Sequence, residues 1–163
     1  MADKMFGTVA APKRVKRAAF SIAGLAGAYT METAQTIPNL WEQFGPHIGH
    51  IQRQVGTAAY GLISMNATGF DYVAGVEISA ADDLPKGFVM RKLPASEYAV
   101  FEHVGHVSGI RETKHAIWSN WHRNALIEPV EGMPDFEYYG DRFDAKTGSG
   151  VVEIWVGVRA KSR

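Results

Sequence analysis

The chain has no cysteine, which excludes disulfide bonds, thiolate zinc sites and a cysteine nucleophile. It also has no surplus of either charge, because 17 Lys and Arg residues balance 17 Asp and Glu residues. Sequence-independent binding to nucleic acid needs many basic side chains against the phosphates. The balanced charge therefore predicts no direct binding to nucleic acid. We interpret the basic cluster at residues 13–17 as a solvated strand edge or tail.

Long apolar runs are also missing, and none reaches the roughly 18 residues that a membrane-spanning helix needs. Residues 13–28 nevertheless resemble a secretion signal, with basic residues before an apolar stretch that ends in Ala-Gly-Ala. Polar and small residues interrupt that stretch, and Phe20 and Ile22 alternate as in a strand that bends at its glycines. The strand is the favoured interpretation, so we expect no membrane association and a cytoplasmic location.

The length of 163 residues suits one domain, and the hydrophobic fraction of 46% is ordinary for a globular protein. Residues 1–13 are expected to form a disordered or extended tail. Residues 14–163 are expected to form a single α+β domain with two halves, at about 14–79 and 87–160.

Each half has the same order of elements. The first half predicts a strand at 14–33, a helix at 38–54 that Pro46 kinks or splits, and strands at 58–65 and 70–78. The second half predicts a strand at 88–103 that is interrupted near Pro94, a helix at 110–124, and strands at 135–143 and 151–159. Two β-α-β-β repeats predict a curved antiparallel sheet with both helices on one face and a ligand groove between the halves.

The segment Asp135-Phe136-Glu137-Tyr138-Tyr139 holds a carboxylate among aromatic rings on a predicted strand. Strand alternation puts Glu137 and Tyr139 on the same face. An ionised carboxylate in an aromatic pocket attracts a flat organic cation through charge and cation–π contact. The alternative is that Glu137 faces solvent on an edge strand, and spacing alone favours that alternative.

Aromatic residues on the predicted helices and strands can line such a pocket. Core packing explains any one of them, but together they suit a cleft that stacks on planar ligands. Besides Glu137, the candidate ligand-binding residues are Trp41, Phe44, Tyr60, Tyr98, Trp121, Tyr139 and Trp155.

Six histidines raise the question of a metal site, but they form no recognised metal-binding motif. The sequence also contains no nucleophile elbow, phosphate-binding loop or dinucleotide fingerprint. We therefore predict no metal, no cofactor and no catalytic residue.

Several blocks of the chain, spread over about residues 14–160, resemble the GyrI-like family of small-molecule effector-binding domains. The blocks are Ile37-Pro38-x-Leu40-Trp41-x-x-Phe44, Tyr60-Gly61, Phe70-Asp71-Tyr72-Val73-Ala74-Gly75-Val76-Glu77, Leu93-Pro94, Tyr98-Ala99-Val100-Phe101-x-His103-x-Gly105, Pro134-Asp135-Phe136-Glu137-x-Tyr139 and Glu153-Ile154-Trp155-Val156.

The resemblance implies a ligand groove between two β-α-β-β units, with Glu137 as the residue that meets cationic aromatic drugs and with Trp41 and Tyr139 near it. Related domains serve AraC-type and MerR-type regulators or stand alone. The sequence has no helix-turn-helix beside the domain, so we expect a stand-alone binding protein for lipophilic, cationic aromatic compounds, rather than an enzyme. A hydrolase of electrophilic toxins and a gyrase-interacting inhibitor remain alternatives, and a homodimer is left open.

Overall fold

The computed structural model of the chain describes residues 9–121 and 126–161. These residues form ten strands and two α-helices. In chain order they are β1 (Lys13–Arg17), β2 (Phe20–Tyr29), α1 (Ile37–Phe44), β3 (Ala59–Met65), β4 (Phe70–Ile78), β5 (Val89–Leu93), β6 (Ser96–His106), α2 (Ile110–Asn120), β7 (Ile127–Pro129), β8 (Asp135–Tyr139), β9 (Phe143–Asp144) and β10 (Ser149–Ala160).

The strands form one antiparallel sheet in the order β1-β6-β10-β8-β3-β4-β2-β5, and the short strands β7 and β9 also pair with β10. The α+β class and the large antiparallel sheet with two helices are therefore confirmed. Strands β8 and β3 lie side by side in the middle of the sheet, with Glu137 opposite Gly61. Strands β4 and β2 follow on one side of this junction, and β10 and β6 follow on the other.

The predicted long strand at 14–33 is two strands. Its first part, β1, pairs with β6 at one end of the sheet, and its second part, β2, pairs with β4 and β5 at the other end. The register places Arg17 opposite Ser96 and Phe20 opposite Leu93, so the break between β1 and β2 faces the break at Pro94. Proline has no N–H for a ladder hydrogen bond, which explains why pairing stops there in both segments.

Helix α1 is shorter than the predicted helix at 38–54. It ends at Phe44 and continues only as a 3₁₀ turn at Gly45–His47. Pro46 explains the early end, because it lacks an N–H for the helical ladder and its ring crowds the carbonyl four residues earlier. The buried side chains Leu40 and Phe44 hold the helix against the sheet.

Helix α2 begins at Ile110 as predicted and its regular part ends at Asn120. Residues 122–124 of the predicted helix lie outside the described residues, as do residues 1–8 of the predicted tail. The apolar side of α2 buries Ile110 and Ile117 in a cluster with Phe101, Val152 and Ile154. Neither described α-helix is long and apolar enough to cross a bilayer.

The sheet has a buried apolar layer on each face. On the face that carries α1 and α2, the layer includes Ala74 on β4 and Ile154 on β10. On the opposite face, called here the far face, alternate residues of the same strands form a second layer that includes Val73, Phe136 and Trp155. A polar side chain on either face of these strands therefore lies in a low-dielectric environment unless it reaches an edge.

Candidate ligand-binding site

Glu137 lies in the middle of β8, which pairs with β10 on one side and β3 on the other. Its side chain projects onto the helix face of the sheet, and the residue is only 4% exposed. The alternative interpretation of a solvent-facing residue on an edge strand is therefore wrong. The strand is central because β3 pairs with one of its edges and β10 pairs with the other.

Three donors hold the Glu137 carboxylate. The Tyr72 and Tyr139 hydroxyls each donate to Oε1 over 2.7 Å, and the Lys114 ammonium donates to Oε2 in a close ion pair. The two tyrosines come from β4 and β8, and Lys114 comes from α2. A buried carboxylate needs such partners, since leaving the water without them costs several kcal/mol.

The donors also decide the charge of the carboxyl group. Burial by itself raises the pKa of Glu137, but the Lys114 charge and the hydrogen bonds from Lys114, Tyr72 and Tyr139 outweigh burial, so the pKa lies below its usual value. Burial, and then the neighbouring carboxylate, raise the pKa of Tyr72 and Tyr139 well above the usual value. At neutral pH the cluster therefore contains an anionic carboxylate, two neutral phenols and the Lys114 side chain.

Gly61 provides the space for this cluster. It lies directly opposite Glu137 in the β3–β8 ladder. A Cβ atom at this position would stand 2.1 Å from the Tyr72 hydroxyl and 2.6 Å from Glu137 Oε1. Any larger residue would therefore push the carboxylate or the phenol away, so the hydrogen-bonded arrangement depends on glycine here.

Trp41 on α1 covers the tyrosine side of the cluster. Its indole N–H donates to the Tyr72 hydroxyl over 3.0 Å, and its ring meets the Tyr139 ring edge-on with the centroids 5.2 Å apart. The hydrogen bonds thus run from Trp41 through Tyr72 to Glu137. An indole, two phenols and one carboxylate face the same small region under the two helices.

Asp135 adds a second carboxyl group on the same face, two residues before Glu137 on β8. Burial raises the pKa of Asp135 to about 7, although the Lys114 charge acts in the opposite direction. The pKa values of the two carboxyl groups therefore shift in opposite directions. Hydrogen bonds and the Lys114 charge outweigh burial at Glu137, whereas burial dominates at Asp135.

Two other predicted residues, Phe44 and Trp121, lie on the helix face. Phe44 is fully buried beneath Trp41, with the ring centroids 6.1 Å apart. Trp121 is 7% exposed and packs on Phe101 in the cluster under α2. In this structure both act as core residues that support the site.

Tyr60, Tyr98 and Trp155 were predicted to line the same groove as Glu137, but the structure places them on the far face. Tyr60 is opposite Tyr138, and Trp155 is opposite Phe136, so their side chains project away from Glu137. They pack around Phe136 with the centroids 5.3–5.6 Å apart. The prediction is wrong because the face that a side chain occupies, relative to a residue on another strand, depends on the register between the two strands. That register is evident only in the folded structure.

Lys114 and Tyr72 are not among the candidate ligand-binding residues named from the sequence. Lys114 lies between the buried Ile110 and Ile117 on the inner side of α2, and a charged residue in that position is a signal for a buried partner. Tyr72 alternates with the apolar residues of β4, which is a weaker signal, because a core tyrosine has the same spacing.

Among the described residues, no group of three His, Cys, Asp or Glu side chains is arranged to hold a metal ion. The buried His103 instead bonds the Thr113 hydroxyl and the His106 carbonyl, both over 2.7 Å. These partners account for both ring nitrogens, so His103 joins β6 to the start of α2.

Comparison with known proteins agrees with this architecture. The chain is 37% identical over 131 residues to the transcriptional regulator BrlR of Pseudomonas aeruginosa, a match that covers 79% of this chain and 48% of BrlR. The chain thus spans about half the length of that regulator.

Several solved structures share the fold, and two of them serve as examples. One is SAV2435 bound to tetraphenylphosphonium, with a TM-score of 0.74, 23% identity and coverage of 91% of this chain and 93% of SAV2435. The other is the integron cassette protein VCH_CASS2 from the mobile metagenome of Vibrio cholerae, with a TM-score of 0.60, 22% identity and coverage of 93% and 97%.

A family model matches residues 15–158, which is nearly the whole described structure. The family comprises integron-associated effector-binding proteins, and the match confirms the resemblance to GyrI-like effector-binding domains. This chain belongs to the family of integron-associated effector-binding proteins.

Proposed function

We propose that the protein binds lipophilic aromatic cations on the helix face of its sheet, with Glu137 as the counter-ion of the ligand. The observation that carries the proposal is a carboxylate that is 4% exposed and accepts hydrogen bonds from two phenols and an ammonium. Lys114 and the two phenols allow the carboxylate to keep its charge in the interior, and that charge attracts cations. The rings of Trp41, Tyr72 and Tyr139 around it suit a flat, hydrophobic cation.

The cluster combines two kinds of attraction for such a ligand. The carboxylate provides charge attraction that the low dielectric of the interior strengthens. Each ring that faces the cation adds about 0.5–2 kcal/mol of cation–π stabilisation. The relatives support the same class of ligand, since SAV2435 has been solved with tetraphenylphosphonium, which is a large aromatic cation.

We further propose that binding serves to sense or sequester the compound, as the family description "effector binding protein" suggests. The family match spans residues 15–158, so this region is proposed to contain the complete binding function. BrlR is named as a transcriptional regulator, and the chain matches part of it. We propose that any effect on transcription depends on which other molecule the ligand-bound protein contacts.

The geometry favours binding over hydrolysis. A general base needs a pKa near the working pH. In Glu137 both oxygens already accept hydrogen bonds, and the pKa is below its usual value. The carboxylate is therefore suited to hold a positive charge and poorly suited to activate water.

Glu137→Gln tests the proposal because it keeps the shape of the side chain and removes the charge. We expect the affinity for tetraphenylphosphonium to fall at least about tenfold, which corresponds to ~1.4 kcal/mol. The affinity for the neutral, similarly shaped triphenylphosphine oxide should change by less than about twofold. Isothermal titration calorimetry on both proteins with both compounds measures the difference.

Glu102→Gln is the matched control. Glu102 is a carboxylate on β6 that is opposite Glu153, on the far face of the sheet, and it is exposed. Its replacement should leave the affinity for tetraphenylphosphonium unchanged. Equal losses in the two variants would mean that the effect comes from the overall charge, and unchanged affinity in Glu137→Gln would remove Glu137 from the site.

A further inference from the structure

The buried carboxylate already has a cation beside it, and that cation belongs to the chain. Lys114 Nζ pairs with Glu137 Oε2 at the position where a positively charged ligand would gain the most from the same carboxylate. The carboxylate is nearly inaccessible, with its side chain 5% exposed, whereas the Lys114 side chain is 22% exposed. The Lys114 side chain is therefore partly in contact with water, whereas the carboxylate is almost completely covered.

Helix α2 holds Lys114 in this position through its neighbours. Ile110 and Ile117, one turn before and about one turn after Lys114, are buried in the core under α2. The backbone at Lys114 is thus anchored, while its four-carbon side chain has rotatable bonds that can carry the ammonium outward.

A cationic ligand and the Lys114 ammonium cannot both use Glu137 without repulsion between them. Two like charges that share one carboxylate in a region of low dielectric repel strongly. A neutral ligand brings no such conflict and leaves the ion pair intact. Lys114 thus affects charged and neutral ligands differently, even when their shapes match.

We propose that Lys114 is a tethered counter-ion that competes with cationic ligands for Glu137 and thereby sets the affinity of the site. This inference rests on the proposed function and adds a mechanism of selection to it. Cations with enough ring surface to offset the displacement of an ammonium bind, and small hydrated cations do not. Without ligand, the same ion pair keeps the buried carboxylate neutralised.

Asp135 is a suitable receiver for the displaced ammonium. It lies two residues from Glu137 on the same face of β8, and the Lys114 charge already acts on it, since that charge lowers its pKa. The ammonium can therefore leave Glu137 and still remain close to a carboxyl group. The displacement is less costly than full release of an unpaired lysine from the cluster.

Lys114→Met tests the inference, because it keeps the length of the side chain and removes the ammonium. We expect the dissociation constant for tetraphenylphosphonium to fall at least tenfold relative to the wild type, while binding of triphenylphosphine oxide stays within about twofold. Arg111→Met is the matched control, since Arg111 is an exposed cation on the same helix. Its affinity for tetraphenylphosphonium should equal that of the wild type within about twofold.

The double variant Lys114→Met with Glu137→Gln identifies the route of the effect. If Lys114 acts by competing for Glu137, the gain from Lys114→Met disappears once the carboxylate is gone. Affinity in Lys114→Met that is equal to or weaker than in the wild type overturns the inference. A gain of the same size in the presence of Glu137→Gln overturns it as well.

A measurement on the wild type covers the case in which Lys114→Met fails to fold, since that variant leaves a buried charge without its partner. Reaction of Lys114 with an amine-reactive reagent, followed by peptide mass spectrometry, reports on the ion pair. Saturating tetraphenylphosphonium should raise the labelling rate of Lys114 several-fold and leave that of the exposed Lys92 unchanged. An unchanged or reduced rate at Lys114 overturns the inference.

The outcomes separate this inference from the proposed function. Wild-type binding that depends on Glu137, without a gain in Lys114→Met, overturns the role of Lys114 alone. Binding of tetraphenylphosphonium by Lys114→Met and none by the wild type supports the role of Lys114 and overturns the proposed function. An absence of tetraphenylphosphonium binding in the wild type and in Lys114→Met overturns both.

Discussion

Glu137 is both buried and charged, and three donors, two of them from distant parts of the chain, make this combination stable. Tyr72, Lys114 and Tyr139 donate to its two oxygens, and Gly61 leaves the space that the carboxylate and the Tyr72 phenol occupy. A buried carboxylate with fewer donors would take up a proton instead of keeping its charge. The charge of the site is therefore a property of its hydrogen bonds.

Asp135 illustrates the opposite case, and its pKa predicts how stability depends on pH. Burial raises its pKa to about 7 from a usual value of 3.8, so between these values the folded protein holds a proton that the unfolded chain releases. Stability from this group is complete below the usual value and is lost as the pH rises towards 7, with a slope of at most ~1.4 kcal/mol per pH unit.

Asp135→Asn should remove this loss, because asparagine stays neutral. We expect the free energies of unfolding of the wild type and the variant to be similar near pH 4, and the variant to be more stable at pH 8. Urea denaturation at several pH values measures both curves. Parallel curves over the whole range would contradict a raised pKa at Asp135.

At the scale of elements, the two helices carry the residues that cover the sheet at the site. Helix α1 places Trp41 over the tyrosines, and α2 places Lys114 beside Glu137. Both helices are short, so their position depends on buried side chains more than on intrinsic helix stability. In α2 these side chains are Ile110 and Ile117.

Ile117→Ala should therefore loosen α2 on the sheet. Ile117 is fully buried, and truncation of such a side chain lowers the free energy of unfolding by about 2–5 kcal/mol. The variant should also show faster amide hydrogen exchange in α2 than in β3 and β4. Arg111→Ala on the exposed side of α2 is the control, and a loss of similar size there would contradict the role of Ile117 as the anchor.

The sequence predicted α2 better than α1. Ile110, Ile117 and Trp121 recur at helical spacing in the sequence, and the structure buries all three. In α1 the same spacing continued to Ile51, but Pro46 ends the regular helix, and Ile51 joins the core from a non-helical segment. Apolar periodicity reports which residues are buried, and helix continuity also depends on backbone hydrogen bonds that proline removes.

At the scale of the whole molecule, the sheet separates two aromatic clusters. The helix face carries the candidate site, and the far face carries a cluster around Phe136, with Tyr60, Tyr98 and Trp155. Arg17 lies against that far cluster, with its guanidinium 3.6 Å from the Phe20 ring centroid and 5.9 Å from that of Phe136. Because Arg17 also bonds Glu77 on β4, it connects the break after β1 to the other half of the sheet.

Arg17→Met should destabilise the fold without altering the candidate site. Loss of the cation–π contacts and of the Glu77 ion pair should lower the free energy of unfolding by about 1–3 kcal/mol. Tetraphenylphosphonium affinity per folded molecule should be unchanged, because Arg17 and Glu137 lie on opposite faces. Urea denaturation and calorimetry measure the two quantities.

Arg14→Met is the matched control for that experiment. Arg14 is on the same strand, and its ion pair with Glu97 is more exposed, so its replacement should have a smaller effect on stability. A change in ligand affinity in Arg17→Met at constant fold would contradict the separation of the two faces.

The sequence by itself determined what depends on local geometry. Strand alternation places Glu137 and Tyr139 on one face, apolar spacing identifies the buried sides of both helices, and the family blocks identify the domain. Each of these conclusions follows from residues that are close in the chain. None of them requires knowledge of which strands are neighbours.

The tertiary structure alone decided which distant residues meet. Tyr72 and Lys114 lie 65 and 23 residues from Glu137 along the chain, and they reach it only through the pairing of β3 with β8 and the docking of α2. The pairing of β8 with β3 and with β10 places Tyr60 and Trp155 on the far face, because a shift of register by one residue reverses the face of every side chain in a strand. Register and helix docking are set by the whole core, and for that reason the partners of the buried charge could not be derived from any single segment.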